Sequence, residues 1–92
     1  MYLIDFHESA RERLFRFDKS IRIRFYKKID KMQVEPPGKH LKHGFPYFIE
    51  ELGQYRIAYF CDEEKKSKLI CFIGDHKEYE IWCREVMKML HS

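Results

Sequence analysis

Arg56 stands in the middle of an apolar run, Tyr55-Arg56-Ile57-Ala58-Tyr59, and His76 follows Ile73-Gly74-Asp75 just ahead of a helical pattern. Between these and the N-terminal third lies a basic stretch containing Lys39, His40, Lys42 and His43. Arginine and lysine grip phosphate oxygens, and an imidazole moves a proton near neutral pH. Phosphate binding is therefore the first chemistry this set suggests, with an acidic protein partner as the alternative. Each residue also has a structural reading. Arg56 can pair with Glu50 or Glu51 on a neighbouring strand, His76 can be a solvated capping residue, and His40 and His43 can belong to a solvated loop. Trp82 lies at helical spacing from Tyr79 and Val86, which suits packing as well as stacking on a base.

Charge and composition narrow the classes. The chain has 92 residues and is read as a single domain, 1–92, with 45% hydrophobic and 16% aromatic residues to build a core. Net charge is a mild +3, but its distribution is uneven. Arg11, Arg13, Arg16, Lys19, Arg22, Arg24, Lys27, Lys28 and Lys31 crowd the first third, whereas Glu50, Glu51 and Asp62 to Glu64 form acidic groups. No apolar run approaches the roughly 18 residues that cross a bilayer, and Met1-Tyr2-Leu3-Ile4-Asp5 lacks a signal-peptide pattern. A cytoplasmic protein with no membrane contact is expected. Cys61, Cys71 and Cys83 have apolar neighbours and no C-x-x-C spacing, so buried reduced thiols are expected. A zinc site from His40-x-x-His43 and these thiols is the weaker reading, and no metal or cofactor is expected.

The elements that must hold these residues read as follows. Tyr2 to Phe6 is a short strand. Ser9 and Glu12 have capping-box spacing, and Ala10, Leu14 and Phe17 make one helical stripe. Asp18-Lys19-Ser20 offers a second cap, followed by a helix with Ile21, Phe25, Ile29 and Met32 on one face. Glu35-Pro36-Pro37-Gly38 stops it. Pro46 marks the start of three strands, Tyr47 to Leu52, Tyr55 to Cys61 and Lys68 to Ile73, with Gly53-Gln54 as a two-residue turn and Asp62 to Ser67 as a charged one. Asp75 caps a last helix carrying Tyr79, Trp82, Val86 and Met89 in a stripe. The expected class is α+β in the order β-α-α-β-β-β-α, an N-terminal helical hairpin packed on a small antiparallel sheet.

This order, together with the Leu41-Lys42-x-Gly44 loop, Gly53-x-Tyr55-Arg56-Ile57-x-Tyr59 and Ile73-Gly74-Asp75-His76, resembles the RelE/ParE toxin superfamily over essentially the whole chain. The resemblance implies a toxin of a type II toxin–antitoxin system, a ribosome-dependent mRNA endonuclease that needs no metal. Its partners would be a small acidic antitoxin, the ribosome and mRNA. In such proteins the ribose 2′-hydroxyl attacks the adjacent phosphate, which calls for a base, cations around the phosphate and an acid for the leaving oxygen. Carried over, Arg56 is the phosphate-holding arginine, His76 the acid, and Trp82 the C-terminal aromatic that stacks on a base. Lys39, His40 and Lys42 are RNA contacts. Phe48 and Glu50 fall where one branch has two lysines, which leaves Glu50 or a loop histidine, His43 or His40, as the base. The alternatives are a ParE-like gyrase inhibitor acting by binding alone and a member without catalysis.

Overall fold

A computed structural model describes residues 1–41 and 45–90. The elements run β1 (Leu3–Phe6), α1 (Glu8–Arg16), α2 (Lys19–Met32), β2 (Lys39–His40), β3 (Tyr47–Leu52), β4 (Tyr55–Asp62), β5 (Ser67–Asp75) and α3 (His76–Leu90). One five-stranded sheet has the order β1-β5-β4-β3-β2. The class is α+β as expected, with two departures. Lys39–His40 forms an additional short strand antiparallel to β3, and β1 pairs parallel to β5, so the sheet is mixed. Neither departure has a local signature. Two polar residues show no alternation, and a strand's pattern does not say which distant strand it will join.

Alternation assigns the two faces. Tyr55, Ile57 and Tyr59 of β4 and Ile70 and Ile73 of β5 meet Ala10, Leu14, Phe25, Ile29 and Met32 of the first two helices in one core cluster. Burying each such large side chain contributes about 1.5–3 kcal/mol. The opposite face holds a smaller cluster of Ile49, Ala58 and Phe72, covered by Tyr79 and Trp82 of α3. A bulge between Ala58 and Tyr59 keeps Ala58 opposite Phe72 and Tyr59 opposite Ile70, leaving Cys71 without a partner in the ladder.

The helix starts are set by side chains. Asp18 caps α2 through the Ile21 amide, as expected. In α1 the cap is His7 rather than Ser9: His7 Nδ1 accepts from the Ser9 amide at 3.2 Å, because the helix begins one residue before Ser9. The reciprocal box appears instead at α3, where Asp75 Oδ1 accepts from the Glu78 amide and Glu78 Oε1 accepts from the Asp75 amide. Of the expected α3 stripe, Tyr79 and Trp82 pack on the sheet, whereas Met89 is 76% exposed. No helix among the described residues is long and apolar enough to cross a membrane.

Candidate functional site

The Gly53-Gln54 turn decides what can meet what. Gly53 adopts φ +61, a conformation that costs glycine little, and the turn pairs Leu52 with Tyr55, Glu51 with Arg56 and Glu50 with Ile57. Residues 51 and 56 therefore share the α3 face of the sheet, and Glu50 lies on the face of α1 and α2. Arg56 is half-buried and anchored at its root, with Nη1 donating to the carbonyls of Gly53 at 2.7 Å and Tyr55 at 2.9 Å. Both bonds use one nitrogen, which leaves Nη2 and Nε to reach a ligand. No ion pair joins Arg56 to Glu50 or Glu51 among the described residues.

Around Arg56 lies an open groove of about 420 Å³. Its polar rim is formed by Lys39, His40, Glu51, Arg56 and His76, and its apolar part by Leu41, Phe45, Ile49, Tyr79 and Cys83. His76 is the first residue of α3, exposed, with Nε2 3.0 Å from Glu80 Oε1 one turn on. Lys39 pairs with Ile49 and His40 with Phe48, so the two side chains alternate across the edge of the sheet. The His40 ring is consequently set edge-on to Phe48, 4.8 Å between centroids, towards the helix face rather than towards His76. Burial and a hydrogen bond with Cys83 push the Tyr79 phenol up, which keeps it protonated. Burial likewise pushes up the Cys83 thiol.

The residues expected to act together are thus partly assembled. Lys39, Arg56 and His76 converge from three elements, and His40 closes the groove at its strand edge. Lys42 and His43 lie outside the described residues. Glu50, expected as a possible base, is 8% exposed on the far face, where it meets Lys28 and Tyr59. The register of the hairpin puts it there. Trp82, expected to stack on a base, is stacked instead on Phe72 at 5.3 Å and set against Tyr47 at 5.1 Å. Tyr79 is the aromatic that lines the groove, although its spacing from Trp82 gave it the same core reading. The three thiols are unpaired and partly exposed, not buried as expected, because Cys71 sits at the bulge and Cys83 at the groove. No group of three His, Cys, Asp or Glu side chains among the described residues is set to hold a metal.

Lys68 carries a signal that strand periodicity hid. It is fully buried on β5, and its ammonium donates to the carbonyls of Met32 at 2.7 Å and Glu35 at 3.0 Å, closing the C-terminal end of α2. Its charge also lies 4.4 Å from the Tyr2 ring centroid and 5.3 Å from that of Tyr59.

No family model and no curated protein matches the chain. Solved structures do. The toxin–antitoxin complex RelBE2 from Mycobacterium tuberculosis aligns at TM-score 0.74 and 24% identity, over 80% of this chain and 90% of that one. The intact E. coli RelBE complex aligns at TM-score 0.73 and 22% identity, over 82% and 96%. The isolated E. coli RelE toxin aligns at TM-score 0.72 and 20% identity, over 97% and 99%. The chain has the fold of RelE toxins.

Proposed function

We propose that the chain is the toxin of a type II toxin–antitoxin pair, a metal-independent endoribonuclease that cuts mRNA on the ribosome in the cytoplasm and is neutralised by a small acidic antitoxin. The observation that carries this reading is the meeting of Lys39, Arg56 and His76 around one groove with an aromatic and aliphatic wall. A nucleotide has matching chemistry, with a charged phosphate for the cations and a flat base for Tyr79.

The cleavage is a transesterification. The ribose 2′-oxygen forms a bond to phosphorus, the bond from phosphorus to the 5′-oxygen breaks, and the products are a 2′,3′-cyclic phosphate and a 5′-hydroxyl. Arg56 and Lys39 hold the non-bridging oxygens as negative charge grows on them. His76 gives a proton to the departing 5′-oxygen. The proton of the 2′-hydroxyl goes to His43 or His40, since Glu50 lies on the far face.

The reading is tested by inducing the chain without its antitoxin and mapping RNA ends. Growth arrest with mRNA cut at codon boundaries, leaving 5′-hydroxyl ends, is expected. Arg56→Ala and His76→Ala should each lower cleavage by about 10²-fold. Intact toxicity in both variants removes the proposed site. Intact mRNA with broken DNA would instead assign the chain to gyrase inhibition, and no arrest at all to a binding role without chemistry.

A further inference from the structure

On the face of the sheet away from the groove, Glu50 has both oxygens engaged. Oε1 lies 3.2 Å from Lys28 Nζ, and Oε2 accepts from the Tyr59 hydroxyl at 2.9 Å. The same hydroxyl accepts from the Gly38 amide at 2.7 Å. Tyr59 is completely buried, so its oxygen has a defined direction, taking a proton contact from the linker and giving one to the carboxylate. The linker runs directly over this pair. A methyl group on Gly38 would lie 2.9 Å from both Glu50 Cδ and the Ile49 carbonyl, and closer still to Glu50 Oε2.

A second anchor lies three residues upstream, where Lys68 holds the Glu35 carbonyl. The segment between α2 and β2 is therefore pinned at Glu35 and Gly38, with Pro36 and Pro37 stiffening the interval. The next residue is Lys39 of the groove. A buried ion pair adds little net stability by itself, because desolvation offsets the attraction. What this one does supply is a fixed address for the linker.

We propose that Tyr59, backed by Glu50 and Lys28, is a positioning residue for the groove on the opposite face: by holding the Gly38 amide it sets where β2 delivers Lys39 to Arg56 and His76. The proposal rests on the reading of the groove as an RNA site, but the relay can be measured independently of it.

Tyr59→Phe removes the hydroxyl and keeps the ring, its stacking on Phe48 and its place in the core. Ile70→Val, in the same cluster but with no side-chain hydrogen bond to the linker, serves as the comparison. Amide exchange in the full chain should become about fivefold faster at Gly38 and Leu41 in Tyr59→Phe, relative to the β4–β5 ladder. Ile70→Val should change all amides in step. In cleavage of mRNA on ribosomes, Lys39→Ala should cost about tenfold in the wild-type background and much less in Tyr59→Phe, because Lys39 is already displaced. A uniform change in exchange, or an equal cost of Lys39→Ala in both backgrounds, overturns the relay. If the wild-type chain cuts no mRNA on ribosomes, the RNA reading falls while the exchange result still decides the relay.

Discussion

In the proposed nucleotide site, Arg56 is the side chain for charge and Tyr79 the one for a flat surface. The carbonyls of Gly53 and Tyr55 fix the Arg56 guanidinium before any ligand arrives, which lowers the ordering cost of binding. Tyr79 lies at the groove with its hydroxyl protonated, so its contribution to binding should come from the ring. Tyr79→Phe should leave oligoribonucleotide affinity nearly unchanged, whereas Tyr79→Ala should weaken it by about tenfold or more, as measured by fluorescence titration. Arg56, His76 and Lys39, which line one groove, stand out in the sequence because an arginine in an apolar strand, a histidine after a glycine turn and a lysine in a basic linker each break a local pattern. Tyr79 and Trp82 were not separable, since helical spacing puts both on one stripe and cannot say which stops at the edge of the covered sheet. Glu50 lies away from the groove for a reason the chain does contain. A two-residue turn at 53–54 puts residues 50 and 56 on opposite faces, and counting that register would have removed Glu50 from the site.

At the scale of elements, the β3–β4 hairpin carries most of the groove's geometry. Its turn needs positive φ at Gly53, and its carbonyl holds Arg56. Gly53→Ala should destabilise the protein by about 1–2 kcal/mol, read from denaturant unfolding, and should also lower cleavage because the carbonyl moves with the turn. The helices and long strands were readable from periodicity and caps, Asp18 and Asp75 above all. The short β2 strand was not, because its place is decided by pairing with Ile49 and Phe48 and by the buried contacts behind it. The His7 cap escaped a reading that favoured Ser9, although an imidazole nitrogen can accept a first-turn amide as a hydroxyl does.

The whole molecule should lose stability in acid through two exposed carboxylates. Hydrogen bonds from Ser20 and then the Ile21 amide hold Asp18 below its ordinary value of 3.8, and those from Lys66 and then Tyr2 bring Glu63 from 4.5 to about 2. A depressed folded value means that the contribution is complete above the unfolded value and fades as pH falls through the folded one. Thermal melts should therefore show Tm declining below about pH 4.5, shallowly because solvent screens both groups, and flatter in the Asp18→Asn, Glu63→Gln double variant. A steep decline unchanged in that variant would place the acid sensitivity elsewhere. The parallel pairing of Leu3–Phe6 with Ser67–Ile70 has a bearing on the order of events during synthesis. The first strand and both early helices emerge long before the strand that receives them, and closing so long a loop is slow. A nascent chain that ends ahead of β5 already contains Arg56, but it lacks the strand beside it and has no His76. The groove can come into being only once β5 and the start of α3 have been made.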